Sequence, residues 1–281
     1  MRNNEDRLGT KVRSDSPAST TGQSGLAPLD FTRPTTIVTL PSQGQFYGED
    51  HPLHNKETIE IRQMTTAEEE ILSNRSLLQK GLALDKFLER LLVDSKVKPS
   101  ELFVGDKNAI LIQARIDGYG AEYTTKVNCP ACATPQKHTF DLNEVVEITG
   151  TEPVEGVTRT DSGTYTVELD NGWLVEFRAL MGADEKNLVN SSKNRKKAGL
   201  EETPIQDQLR ALIVSISGHT DATTINKAIQ HFTGKQSRTI RTAYATAIPN
   251  VEMKGHLDCN ECGTTSELEV PLTADFFWAK S

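Results

Sequence analysis

Tyr123-Thr124-Thr125-Lys126-Val127-Asn128-Cys129-Pro130-Ala131-Cys132 alternates inward and outward positions, then breaks at a proline-bearing turn between two cysteines. Alternation resumes with Lys137, Thr139 and Asp141 set against His138, Phe140 and Leu142. A two-residue period interrupted by a turn is a β-hairpin. The same figure returns in the second half, where Val251, Met253, Gly255 and Leu257 alternate ahead of Cys259-Asn260-Glu261-Cys262. These are the only cysteines in the chain. A thiolate pair spaced by two residues grips one side of a tetrahedral metal, and two such pairs complete a four-sulfur site of the structural zinc type. The reading is therefore one Zn2+ held by Cys129, Cys132, Cys259 and Cys262. A closed site leaves no coordination position for a substrate, which points to a scaffold rather than to catalysis.

Two other uses of the cysteines fit less well. A redox Cys-x-x-Cys pair caps a helix that follows a strand, whereas Ala133-Thr134-Pro135 leads from a turn into a strand. A disulfide framework belongs to a secreted context, and Met1 to Asp30 hold no apolar segment of a secretory leader. The energetics permit sharing of one ion. Closing the intervening loop costs about 4 kcal/mol, against roughly 10–16 kcal/mol for structural zinc in small peptides. Gly263 after Cys262 supplies the positive φ that such a turn uses; its counterpart is Ala133, so the first turn is the less relaxed of the two.

The 281 residues carry a net charge of −8 and 36% hydrophobic residues. This describes a soluble, acidic chain with a modest core, and no apolar run reaches the length of a membrane span. Net negative charge disfavours general binding to phosphate backbones. Residues 1 to about 30 are rich in Ser, Thr, Gly, Asn and Pro, with isolated apolar positions, and are expected to be disordered unless a partner orders them.

The two halves repeat. Ile59-Glu60-Ile61-Arg62-Gln63-Met64 matches Val175-Glu176-Phe177-Arg178-Ala179-Leu180 as a strand. Thr65/Thr66 with Ala67-Glu68-Glu69-Glu70, and Gly182-Ala183-Asp184-Glu185, read as capped helix starts with acidic first turns. Gly81 and Gly199 mark where these helices end. Second helices follow, with Leu84, Phe87, Leu88, Leu91 and Leu92 on one stripe and Leu209 to Val214 parallel to Leu88 to Val93. Third helices, about Gly105 to Asp117 and Thr223/Thr233 to Ala247, precede the hairpins, with Lys107 and Lys235 near their starts. The expected fold is α+β: two tandem related strand–helices–zinc-hairpin units sharing a zinc-ribbon-like four-cysteine site about a pseudo-twofold. The domain reading is an N-terminal arm over 1–34, a first unit over 35–145, a linker over 146–163 and a second unit over 164–281. Trp173 and Phe177 read as core or interface anchors, and the cluster Phe276-Phe277-Trp278 serves either the core or a partner.

Leu40-Pro41-Ser42-Gln43-Gly44-Gln45-Phe46-Tyr47, followed by Ile59 to Leu72 with its Met64-Thr65-Thr66-Ala67-Glu68-Glu69 turn, resembles the T4-type bacteriophage baseplate hub assembly proteins. The resemblance covers about residues 35 to 142 well, including the first cysteine hairpin, and the remainder more loosely. It departs from compact members in the N-terminal tail and in Glu144 to Ser162. It implies a non-enzymatic morphogenesis protein acting in the host cytoplasm and, as a component, in the virion. Its partners would be baseplate hub and tail proteins, with no membrane and no small-molecule substrate, and with nucleic acid disfavoured by the net charge. The competing class is a zinc-ribbon nucleic-acid-binding regulator, which demands salt-sensitive binding.

Other candidates reduce to structure. His51-Pro52-Leu53-His54 reads as a solvated loop, and His138 and His256 flank the cysteines without ligand spacing. A zinc deaminase would need a His-x-Glu that is missing here. Gly234-Lys235-Gln236-Ser237 lacks the residues of a phosphate loop and reads as a helix start. Lys193-Asn194-Arg195-Lys196-Lys197 suits a helix C-terminus, with an acidic partner as its functional alternative. Pro41 and Gly44 frame a turn, so that Phe46 and Tyr47 either pin the loop to the core or dock into a partner.

Overall fold

The computed structural model describes residues 31–270 together with Phe276 and Phe277. The expected N-terminal arm, as far as residue 30, and Trp278 lie outside the described residues. Strands β1 (Thr35–Thr39) and β2 (Thr58–Arg62) pair antiparallel, from Thr35 against Arg62 to Thr39 against Thr58. Ile59 and Ile61 turn inward, and Glu60 turns outward. The loop between these strands holds the Leu40-to-Tyr47 segment. Its rings are core anchors: Phe46 lies 5.1 Å and Tyr47 4.9 Å from the Phe103 ring. The histidines of this loop are not freely solvated, contrary to expectation. His51 stacks on Tyr47 at 4.5 Å, His54 Nδ1 lies 2.7 Å from the Tyr47 carbonyl oxygen, and Leu53 between them is buried.

The first expected helix is two. Helix α1 (Thr66–Ser73) starts where the Glu68 carboxylate accepts from both Thr65 N–H (2.9 Å) and Thr65 Oγ1 (2.7 Å). It stops at Asn74, whose side chain accepts from Ser76 and Leu77 N–H and so starts α2 (Arg75–Lys80). Gly81, at φ +72°, then closes α2. Helix α3 (Ala83–Leu91) buries Phe87, Leu88 and Leu91, while Leu84, expected on that face, stays partly exposed because Ala83 takes the inner position. Helix α4 (Val104–Tyr119) is buried on nearly all sides and packs against β1 and the long second-half strand described below.

Strands β3 (Glu122–Asn128) and β4 (Pro135–Asp141) form the first predicted hairpin, with Tyr123 and Val127 inward. Short helix α5 (Leu142–Val145) leads into β5 (Val146–Thr149). Strands β6 (Val157–Arg159), β7 (Tyr165–Glu168) and β8 (Leu174–Phe177) follow as an antiparallel meander. Helix α6 (Gly182–Lys197) carries the basic run in its last turns, the predicted place, and Gly199 beyond it has φ +66°. Helix α7 (Pro204–Leu212) passes directly into β9 (Ile213–Ile216), which completes the sheet β6-β7-β8-β9. The region expected as a third helix is again two, α8 (Ala222–His231) and α9 (Gly234–Ala247), the latter capped by Thr233 and Gln236. Last come β10 (Asn250–Asp258) and β11 (Thr265–Glu269), the second predicted hairpin, in a sheet of order β11-β10-β5.

The described residues from Arg33 onward form a single compact unit, and three sets of contacts tie its early and late parts. Val104 N–H donates to Leu180 O (3.0 Å) and Gly182 N–H to Leu102 O (2.8 Å), so the leads into α4 and α6 bond to each other. Lys107, nearly buried, reaches Glu185 at 2.9 Å and Asp85 at 3.7 Å, and Lys186 reaches Asp85 at 3.5 Å. Arg115, fully buried, donates to the carbonyls of Phe276 (2.9 Å), Gly120 (2.7 Å) and Glu122 (3.1 Å), which satisfies its cation without a carboxylate. That clasp places Phe276 against Tyr123 and Phe277 against Phe87. Both terminal rings are core, not free anchors.

Glu68 pairs with Arg33 (2.8 Å) and Asp184 with Arg178 (2.8 Å). Burial opposes ionisation of both carboxyls. The Thr65 hydroxyl and N–H with Arg33, and the Arg178 guanidinium with Met181 N–H, outweigh it and hold both below the ordinary carboxylate range. A folded-state pKa below the unfolded value gives stability that is present above that unfolded value and lost as pH falls through the folded one. The urea midpoint should therefore fall on acidification below about pH 4, and the Asp184→Asn chain should show a shallower fall.

Candidate metal centre

The two cysteine turns are built alike. In the first, Cys129 N–H donates to Thr134 O (3.0 Å) and Ala133 N–H to Cys129 O (2.8 Å). In the second, Cys259 N–H donates to Thr264 O (3.1 Å) and Gly263 N–H to Cys259 O (2.9 Å). Each turn buries its first cysteine and exposes its second. Ala133 adopts φ +59° where Gly263 adopts φ +67°, as expected from the sequence. A residue with Cβ pays about 1 kcal/mol in that region, so Ala133→Gly should raise stability by up to about 1 kcal/mol. Paired thermal melts of the metal-loaded chains check this.

All four Sγ atoms lie within 4.8 Å of one another. Across the hairpins, Cys129 and Cys262 approach to 3.8 Å and Cys132 and Cys259 to 3.6 Å. Four sulfurs each about 2.3 Å from one ion stand about 3.8 Å apart at the corners of a tetrahedron. The donor set and its spacing are thus compatible with one four-coordinate metal ion. The sequence pairs separated furthest along the chain are brought to one point.

Three supporting residues were not singled out from the sequence. Thr134 Oγ1 lies 3.3 Å from Cys132 Sγ, and Thr264 Oγ1 lies 3.4 Å from Cys262 Sγ. The signal was available, since both motifs read Cys-x-x-Cys-x-Thr. Gln136 on β4 reaches the opposite turn: its Nε2 donates to Asp258 O (2.9 Å), and its Oε1 accepts from Asn260 N–H (3.1 Å). One amide therefore brackets Cys259 on both sides. The Phe140 ring lies over Gly255, where a Cβ would meet it at 2.6 Å, so the hairpins pack closely there. His138 packs edge-on against Phe140.

The thiols are electrostatically unequal. The Thr264 hydroxyl and N–H pull Cys262 down to about 6, and the Thr134 hydroxyl lowers Cys132. Backbone N–H groups of Cys262 and Glu261 favour the Cys259 thiolate, but burial and the adjacent sulfurs outweigh them and push it up to about 11. Without a cation, four thiolates do not coexist here, so metal binding must release protons.

Among the described residues, Cys129, Cys132, Cys259 and Cys262 are the only group placed to hold a metal ion, and no helix is long and apolar enough to cross a membrane. A family model described as T4 bacteriophage base plate protein matches residues 33–278. No curated protein and no solved structure matches the chain.

Proposed function

The chain belongs to the T4 bacteriophage base plate protein family, and on that premise we propose that it is a non-enzymatic tail morphogenesis protein, an assembly factor or component of the baseplate hub. It acts through contacts with hub and tail proteins, in the host cytoplasm during assembly and in the tail of the virion where it is retained. The family match over nearly the whole described chain carries this reading. The chemistry of the cysteine cluster supports it, because four sulfur ligands close a metal's coordination sphere and leave nothing open for a substrate.

The metal in this reading is a structural Zn2+ held by Cys129, Cys132, Cys259 and Cys262. The chain is read as an arm over 1–34, units over 35–145 and 164–281, and a linker over 146–163. Several pairs of features support the duplication. Glu68 and Asp184 occupy the third helical position of α1 and α6, and each accepts from the backbone N–H of the capping residue while pairing with an arginine. Helices α3 and α7 each end in a residue that joins an adjacent strand, Leu92 bridging Ile61 and Ile213 pairing with Phe177. The two hairpins share their turn hydrogen bonds and the threonine beside the outer cysteine.

Affinity capture of the tagged chain from infected cells should recover baseplate hub proteins. Mass spectrometry of purified particles then separates a retained component from a departing factor. Recovery of no tail protein, together with salt-sensitive retention of nucleic acid in a gel shift, would replace this reading with the regulator.

A further inference from the structure

We propose that a peroxide oxidises the four-cysteine cluster to two disulfides that run across the hairpins, Cys132 with Cys259 and Cys129 with Cys262, so that the hairpins stay joined after the metal has left. The proposal rests on the metal-site reading above. Each exposed sulfur has a buried sulfur of the opposite hairpin beside it, at 3.6 Å for Cys132 and Cys259 and 3.8 Å for Cys262 and Cys129. The exposed member of each pair meets the oxidant and the buried member resolves it.

The encounter does not depend on the metal. Gln136 ties β4 to the backbone on either side of Cys259, and Phe140 packs onto Gly255, so both hairpins keep their relative placement when the ion departs. Within each hairpin the turn bonds from Cys129 and Cys259 to Thr134 and Thr264 fix the backbone that carries the paired cysteines, and closure of a pair on itself is the competing outcome that the disulfide map reads.

The chemistry balances with peroxide as the two-electron oxidant. The Cys132 thiolate attacks one peroxide oxygen, the O–O bond breaks, and a sulfenic acid forms as hydroxide leaves. The Cys259 thiolate then attacks that sulfur, the S–O bond breaks, and a disulfide forms with loss of a second hydroxide. The metal-bound cysteines have already lost their protons, so the two hydroxides pass to solvent and are protonated to water by the buffer. Cys262 and Cys129 repeat the sequence with a second peroxide, and the metal is released to solvent.

The test uses the full chain, purified under reducing conditions with its metal content measured first, then treated with two equivalents of hydrogen peroxide. Remaining thiols are alkylated and the chain is cut with trypsin without reduction. Cleavage after Lys126, Lys137 and Lys254 places each cysteine pair on its own peptide. The expected result is complete metal release and a single linked species containing both peptides, lighter than their reduced sum by four hydrogens and split by reductant. In the Cys132→Ser chain the link should persist through Cys129 and Cys262, with Cys259 alkylated. Two separate peptides, each closed on itself, would overturn the proposal, as would intermolecular dimers or sulfinic acids without a link. A chain isolated without metal would sink the metal reading alone, because the disulfide map is still read independently.

Discussion

On the proposed zinc centre, Cys259→Ser should remove the metal from the chain and lower its stability by several kcal/mol, the largest effect expected of any single substitution here. The magnitude follows from the roughly 10–16 kcal/mol that structural zinc contributes in small peptides, less the cost of bringing distant ligands together, about 4 kcal/mol. Cys259 is buried and bracketed by Gln136, so a water molecule has little access to take the lost position. Cys132→Ser, at an exposed corner of the cluster, should be milder and keep a weakened site with solvent as the fourth ligand. Metal analysis of each purified variant, paired with urea denaturation, gives both quantities. A Cys259→Ser chain with unchanged metal content and midpoint would remove the metal from the account of the fold.

Asp106→Ala should destabilise the chain by about 3–5 kcal/mol, because it leaves the Ser42 N–H and the Ser42 and Tyr47 hydroxyls buried without their acceptor, at roughly 1–3 kcal/mol each. The Asp106 carboxylate is fully buried in the first turn of α4 and accepts from Ser42 N–H (2.9 Å), Ser42 Oγ (2.6 Å) and Tyr47 OH (2.7 Å). It is the post to which the Leu40-to-Tyr47 loop is tied. Burial pushes the Asp106 carboxyl above its ordinary value against those three donors, and both burial and the adjacent carboxylate push the Tyr47 phenol up. The sign follows. With the folded pKa above the unfolded one, protonated Asp106 favours the fold, and stability declines as pH rises through the folded value. Tyr47→Phe removes one donor and should cost about 1–2 kcal/mol. Urea midpoints of the two variants across pH separate the charge effect from the hydrogen bonds. An Asp106→Ala chain as stable as the parent would show that the loop is held by its rings alone.

The hairpins and the inward stripe of α3 were legible in the sequence because each depends on a local period: two residues for Tyr123 to Asn128 and Asn250 to Asp258, three to four for Phe87, Leu88 and Leu91. Ala133 was legible because a positive φ leaves its mark in the glycine at the equivalent place. What the sequence hid depends on partners far along the chain. Asp106 and Lys107 are adjacent, yet one anchors a loop some sixty residues earlier and the other reaches Glu185 in α6. No periodicity encodes that division. Nor did it reveal that Asn74 starts a second helix, because its capping role and its place in a continuous helix look the same in a polar stretch. Gln136 reads as an ordinary outward strand residue, and its grip on Cys259 exists only once the hairpins meet. The pairing of β5 with β10 likewise joins segments that no local signal relates.

X-ray absorption at the zinc edge of the purified chain tests the central claim most directly. The account predicts one zinc per chain surrounded by four sulfurs at about 2.3 Å, with no nitrogen or oxygen neighbour. Two zinc ions per chain, or a shell mixing sulfur with nitrogen or oxygen, would mean that the hairpins bind metal separately, and the shared four-cysteine centre would be contradicted.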